Sequence, residues 1–342
     1  MLPLLIDNDQ TGYLKNRFIG ENVRLLQDIS FFTEKTGTTA FFLSIDFEKA
    51  FDSLNWNFLF KVLKHVNFGG KLIGYIKMMY NNIESTVINN GNTGGYFKLE
   101  RGVRQGCLLS AYLFILSIEI LANKLRHEKN IKGIKIDNTI IKLSMLADDL
   151  TLILQDLKSI ANALKLLKSF SLCSGLTINT EKTKVKNLGP PLSADHYPHG
   201  LSWIKTPLET LGIYITNNAE ENLNHNFKPK IATLRNTLNI WKQRTLSMKG
   251  KITIINTLAL SPLIYTSSLI DTPPEALKCI NDIIQNFIWE GKTAKIAQNT
   301  LIKNIDQGGL KLCHYPTKVK ALKLFWIKRL CNESDANWKS LP

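Results

Sequence analysis

The spacing of apolar positions divides this chain into strand-length runs and helical stretches. Residues 40–46 form a mostly apolar run of strand length that carries Phe41, Phe42 and Ile45 and ends on Asp46. Helical periodicity follows over 54–66 and again over 72–83. Two short strand-like runs, 85–89 and 96–100, flank Asn90, Gly91, Asn92, Thr93, Gly94 and Gly95, residues that tolerate positive φ, so a hairpin is expected there. Residues 110–126 read as a largely buried helix, because Leu113, Phe114, Leu116, Ile118, Ile120 and Leu121 leave little polar face. Strand signals return at 140–146 and 150–154, separated only by Ala147, Asp148 and Asp149. That pattern predicts a tight hairpin with two carboxylates at its tip. A helix over 160–172, stopped by Gly175, and a short strand over 211–216 complete this part.

The densest cluster of breakers, Pro190, Pro191, Ser193, Asp195, Pro198 and Gly200, predicts a surface loop. Beyond 216 the pattern is helical. Phe227, Ile231, Leu234, Leu238 and Trp241 recur at steps of four and three, while Lys228, Lys230, Arg235 and Lys242 fall off that stripe. Strands alternate with helices without a Gly-rich dinucleotide fingerprint, so the expected class is α+β, a sheet with helices on one face. The change of character puts a domain boundary near residue 220.

Composition adds three constraints. A chain of 342 residues exceeds the length at which one core usually stops growing, so two compact units are expected. The net charge of +15 favours a polyanionic partner, and between Lys228 and Lys251 there are seven basic residues and no acidic one. A solvated helix face is the bland alternative for such a run. Cys107, Cys173, Cys279, Cys313 and Cys331 show none of the paired spacings of zinc sites and are expected as reduced, mostly buried thiols of an intracellular protein. The longest apolar stretches, 107–122 and 258–270, carry Glu119 or Pro262 and fall short of the ~20 residues that span a bilayer. Residues 1–6 are too short for a signal peptide. A soluble chain with no membrane partner is expected.

Candidate chemistry rests on three carboxylates. If the strand ending at Asp46 and the hairpin bearing Asp148 and Asp149 share a sheet, these acids meet at its edge. Converging carboxylates repel one another unless a divalent cation neutralises them, so such a cluster is a natural Mg²⁺ site for in-line phosphoryl transfer. An Asp-Asp pair in a turn is by itself ordinary turn chemistry, and Glu48 and Asp52 read as helix-start charges.

Residues 42–54, Phe-Leu-Ser-Ile-Asp-Phe-Glu-Lys-Ala-Phe-Asp-Ser-Leu, resemble motif A of non-LTR retrotransposon reverse transcriptases, of the long interspersed element type. Residues 101–114, with Arg104, Gln105, Gly106, Cys107 and Ser110, resemble motif B; Leu146-Ala147-Asp148-Asp149 resembles motif C. Ser174 to Asn179 with Glu181-Lys182-Thr183 resembles motif D, and Leu211-Gly212-Ile213 motif E. Gln10-Thr11-Gly12-Tyr13 with Arg17 is similar to the segment before motif A, and Asn286-Phe287-Ile288-Trp289 and Gly308-Gly309-Leu310 to patches after the thumb. The resemblance covers roughly residues 10–330, with the motifs in order.

The resemblance implies a right-hand polymerase palm, an antiparallel sheet with helices on one face, followed by an all-helical thumb. Residues 1–39 would be a remnant of the fingers and the segment before motif A, 40–219 the palm with motifs A to E, and 220–342 the helical thumb with its downstream connection. It implies RNA-directed DNA polymerase activity on an RNA template with a DNA primer and deoxynucleoside triphosphates. Asp46, Asp148 and Asp149 would hold two Mg²⁺ ions, with Mn²⁺ as a substitute and the Phe47 carbonyl as a main-chain ligand. Phe51 would exclude a ribose 2′-hydroxyl, and otherwise reads as a core aromatic. Arg104, Gln105 and Gly106 would line the nucleotide pocket, although Gly106 also fits a plain turn. Lys182 would donate a proton or positive charge to departing pyrophosphate, where a surface lysine is the bland alternative. Leu211 and Gly212 would touch nucleic acid, and a basic helix over 228–251 would present Lys242, Arg244, Lys249 and Lys251 to duplex phosphates.

Leu146 stands where motif C has an aromatic residue, and Leu108 and Ala111 where motif B has prolines. The sequence starts just upstream of motif A and shows neither an endonuclease nor a Cys-His knuckle, so a fragment of a longer element protein is expected. The alternative is a catalytically inactive remnant that only binds nucleic acid. Synthesis primed on chromosomal DNA would place the protein in the nucleus.

Overall fold

The computed structural model describes residues 2–190, 200–331 and 336–340, and most of the proline-rich cluster, 191–199, lies outside them. Phe41–Ile45 (β1) is apolar except for Ser44 and forms the middle strand of a five-stranded sheet. The other strands are Leu143–Leu146 (β2), Asp149–Leu154 (β3), Lys184–Asn187 (β4) and Ser202–Ile204 (β5), in the order β5-β4-β1-β3-β2. All neighbours are antiparallel except β4 and β5, which run parallel. The sheet is thus antiparallel as expected in its centre and mixed at one edge. A middle strand is covered on both faces, which is why β1 reads as an unbroken apolar run rather than an alternation.

Four helices pack around this sheet: Gly20–Thr36 (α1), Trp56–His65 (α2), Leu108–His127 (α4) and Leu157–Ser174 (α5), with Gly70–Met79 (α3) against α2. Asn55 caps α2 by accepting from Phe58 N, Asp156 caps α5 by accepting from Ser159 N at 2.7 Å, and Gly175 ends α5 with φ of 79°. By length and composition α4 would suffice to cross a bilayer, but Leu113, Phe114, Leu116, Ile118 and Leu121 lie in the core with Leu143, Met145 and Leu152 of the sheet. Ser144 faces away from Leu143 and Met145, and α1 meets it there: Asn22 Nδ2 donates to Ser144 Oγ at 2.9 Å. Helix α1 therefore lies against the second face, a cover that sequence periodicity did not announce.

Two expectations need correction. The hairpin over 84–98 is two short pairs, Glu84–Ser85 with Phe97–Lys98 and Ile88–Asn89 with Asn92–Thr93. None of the five cysteines is buried: Cys107, Cys173 and Cys331 are exposed and the other two half-buried. Cys173 shows why, since the buried stripe of α5 runs through Ile160, Ala163, Leu167, Phe170 and Ser174 and passes it by.

The chain divides into one unit of Met1–Thr206 with Asp335–Pro342 and a second of Pro207–Ser334. The boundary lies before the hairpin Leu208–Thr210 (β6) and Ile213–Ile215 (β7), not near 220, so the second unit is not wholly helical. The hairpin belongs there because Asn226 grips it, accepting from Tyr214 N and donating to Tyr214 O, each at 2.9 Å. The longer helices of this unit are Lys228–Lys242 (α6), Met248–Ile254 (α7), Ser261–Leu269 (α8), Pro274–Trp289 (α9) and Tyr315–Leu330 (α10). The basic segment is thus two helices rather than one, broken where Ser247 starts α7 by accepting from Gly250 N at 3.2 Å. Wide π turns at Leu223–Phe227 and Ile255–Ala259 precede Pro229 and Pro262. Proline has no N–H for the carbonyl four residues back and its ring crowds that group, so the turn before it widens.

Candidate active site

The register of β1 on β3 brings the three aspartates to one end of the sheet. Ile45 pairs with Leu150, so the next positions along the two strands are Asp46 and Asp149. Leu146 pairs with Asp149 in the β2–β3 hairpin, which leaves Ala147 and Asp148 as its two-residue loop. Residues after α5 then hold the end of β1 from the other side. Asn179 N donates to Asp46 O at 2.8 Å, Glu48 N donates to Thr177 O at 2.9 Å, and Phe47 bridges Ile178. The motif D turn therefore fixes the backbone that carries Asp46.

Electrostatics agree with the geometry. Partial burial, and then the charges of Asp148 and Asp46, push the Asp149 carboxyl up to about 6. Burial and the Asp46 charge also raise Asp148. A divalent cation would relieve this repulsion. Among the described residues no group of three or more His, Cys, Asp or Glu side chains stands close enough together to hold a metal ion by itself, the three aspartates included. The donor set still fits Mg²⁺, a hard cation that is commonly held by one or two carboxylates together with substrate phosphates rather than by an all-protein cage.

Motifs A and B pack against each other. Phe51 stacks on Phe114 of α4 with centroids 4.6 Å apart and an interplanar angle of 13°. Its carbonyl accepts from Val103 N at 2.6 Å, and Trp56 Nε1 donates to Gly102 O at 2.7 Å. These bonds dock the strand-like approach to α4 onto motif A. Arg104, Gln105 and Gly106 follow and are exposed; Gly106 has φ of 79°, which favours glycine there. The Phe47 ring is buried in the core, leaving only its main chain for a ligand role. Lys182 is exposed in the motif D turn, its N–H donating to Asn179 Oδ1 at 3.2 Å.

Sequence reasoning matched the segment before motif A only by resemblance, and the structure shows what it packs against. Residues 9–12 run beside β2: Met145 N donates to Asp9 O at 2.8 Å and Thr11 N to Met145 O at 2.9 Å. Arg17 donates to the carbonyls of Ile6, Asp7 and Gln10. Arg126 of α4 bonds both oxygens of Asp9, at 2.7 and 3.0 Å, and Glu119 Oε1 at 2.6 Å. The advance signal was the Gln-Thr-Gly-Tyr run together with Arg17.

In the second unit Lys242, Arg244 and Lys249 are exposed, with Arg244 over the Trp241 ring at 5.5 Å. Lys251 is placed otherwise. Its side chain is 13% exposed, bonded to Glu290 Oε1 at 2.6 Å and to Ile288 O at 3.0 Å. Leu211 and Gly212 form the two-residue turn of the β6–β7 hairpin, with φ of 49° and 72°. Tyr265 OH donates to Leu211 O at 2.8 Å.

Residues 4–215 match the family described as reverse transcriptase (RNA-dependent DNA polymerase). The uncharacterized 149 kDa protein of transposon TX1 from Xenopus laevis is 32% identical over the whole chain, which covers 26% of that protein. The Pol polyprotein of the type-2 retrotransposable element R2DM from Drosophila melanogaster is 26% identical over 52% of the chain and 16% of that protein. The chain thus spans about a quarter or less of the length of these relatives. A telomerase from Candida albicans, solved with a fragment of telomeric RNA, shares the fold at a TM-score of 0.51 and 15% identity, over 83% of this chain and 52% of that one. Both relatives are proteins of transposable elements, and the family match settles the wider class: this chain belongs to the reverse transcriptase (RNA-dependent DNA polymerase) family.

Proposed function

We propose that this chain extends a DNA primer on an RNA template, using deoxynucleoside triphosphates at the sheet end that carries Asp46, Asp148 and Asp149. The observation that carries this reading is the strand register, which aligns Asp46 with Asp149 and sets Asp148 in the adjoining loop. Bound Mg²⁺ would supply activation of the primer 3′-hydroxyl and neutralise charge on the pyrophosphate. The three carboxylates hold and orient that charge. The primer 3′-hydroxyl gives its proton to solvent water and its oxygen bonds the α-phosphorus as the bond to pyrophosphate breaks, while Lys182 gives a proton to the departing oxygen. Phe51, set by its stack on Phe114, crowds the sugar on its 2′ side, and Gln105 with Gly106 flanks the base pair. Lys242, Arg244 and Lys249 neutralise phosphates of the primer and template duplex.

The test is incorporation of labelled deoxynucleotide on a primed RNA template with Mg²⁺, beside the double variant Asp148→Asn, Asp149→Asn. The parent is expected to synthesise DNA, and the variant to lose at least about a thousandfold in rate while binding duplex as before. Equal synthesis by both would remove the assignment. Duplex binding without incorporation by the parent would leave a nucleic-acid-binding fragment.

A further inference from the structure

The β2–β3 hairpin ends its ladder at Leu146 and Asp149, so neither the N–H nor the carbonyl of Ala147 has a partner within it. Ala147 is nonetheless buried, at 5% exposure, and carries φ of 54°, a left-handed conformation that costs a side-chain-bearing residue. Something outside the hairpin must satisfy and hold that peptide. The partner is Gln10, itself fully buried. Its Oε1 accepts from Ala147 N at 2.8 Å and its Nε2 donates to Ala147 O at 3.3 Å.

A carboxamide carries a donor nitrogen beside an acceptor oxygen, and Gln10 uses both on a single residue's main chain. Its own orientation is fixed, because Oε1 also accepts from Gly12 N at 2.8 Å. Residue 12 comes so close that a Cβ there would stand 2.7 Å from Ala147 N, which restricts the position to glycine. The flanks are anchored as well. Thr11 and Asn22 side chains bond Met145 O, Arg17 holds the Gln10 carbonyl, and Arg126 holds Asp9. The side chain is therefore locked on both sides against the residue that precedes Asp148.

We propose that Gln10 is a positioning residue for the catalytic turn: its carboxamide clamps the Ala147 main chain and so sets the direction in which Asp148 and Asp149 leave the hairpin. The proposal rests on the assignment of those two carboxylates as metal ligands. In a pocket where a small displacement is costly, loss of the clamp acts on the metal and on turnover more than on duplex binding.

The test compares the full chain with Gln10→Ala, Gln10→Glu and the double variant Asp148→Asn, Asp149→Asn. Three quantities are read: amide exchange at Ala147, Mn²⁺ binding by electron spin resonance with primer and template present, and kcat against KM. Gln10→Ala is expected to keep the parent's circular dichroism and duplex affinity, yet exchange the Ala147 amide about tenfold faster or more. Its Mn²⁺ affinity and kcat should fall about tenfold, with KM for duplex within about twofold. Gln10→Glu keeps the shape and the bond from Ala147 N but loses the donor to Ala147 O. It is the second variant should alanine unfold the chain, and it is expected to lower kcat and Mn²⁺ affinity while leaving Ala147 protected. Parent-like exchange in Gln10→Ala, or faster exchange with unaltered Mn²⁺ binding and kcat, overturns the proposal. If the double aspartate variant binds Mn²⁺ like the parent, the metal assignment has failed instead, and the exchange measurement alone decides whether Gln10 holds the turn.

Discussion

Lys249 and Lys251 stand two positions apart in one basic run, and the structure gives them different surroundings. Lys249 is exposed, whereas the Lys251 ammonium is enclosed between Glu290 and the Ile288 carbonyl, over the Phe287 ring at 6.0 Å. A charge held that way is costly to leave without its partner and contributes little to an external phosphate. Lys251→Met, which keeps the stem and removes the charge, is therefore expected to lower Tm by about 2–4 °C. Duplex affinity should stay at the parent's value; thermal unfolding and a binding titration check the two halves. This distinction was not legible in the sequence, since Glu290 lies 39 residues from Lys251 and nothing local joins them. Phe51 was legible as an aromatic five positions past Asp46, but its stack on Phe114 was not.

At the scale of elements, periodicity located those with the most continuous apolar runs: β1, α4 and the β2–β3 hairpin. It missed α1, whose contacts with the sheet run through Asn22 as much as through its apolar side chains, and the parallel pair β4–β5, whose strands are short and mixed in polarity. Polar burial of this kind also sets a pH response. Glu119, in the middle of α4, faces Arg126 and Asp9, with Asp7 and Arg17 nearby, and burial pushes it up to about 7 from the usual 4.5. Burial raises Asp9 as well. Between 4.5 and about 7 the folded chain keeps a proton that the unfolded chain has lost, so this contribution is complete below 4.5 and disappears as pH rises through 7. Thermal melts from pH 5 to 8 are expected to show that decline, and Glu119→Gln, which retains an acceptor for Arg126, should flatten it. A decline of the same size in the variant would assign it to other groups.

For the molecule as a whole, the sequence announced two units and a basic second part, and misplaced their boundary because Leu211 and Gly212 read as the start of a strand. They are instead the turn of a hairpin, and Asn226 and Tyr265 tie that hairpin to the helices of the second unit. The charge itself is a property of the whole chain. At +15, nonspecific attraction to any polyanion is expected, so binding alone says little about which residues meet the duplex. Salt dependence separates the two contributions, because each phosphate neutralised at contact adds about 0.9 to the slope of log K against log salt, whereas distant charge is largely screened at ordinary ionic strength. Replacing Lys242, Arg244 and Lys249 together with alanine should reduce that slope by about 2–3 for a primed RNA–DNA duplex. Three alanines placed instead at Lys318, Lys320 and Lys323 of α10 remove the same net charge. If both sets lower the slope equally, the phosphate contacts are not those of the 242–249 segment; a fall confined to the first set places the duplex there.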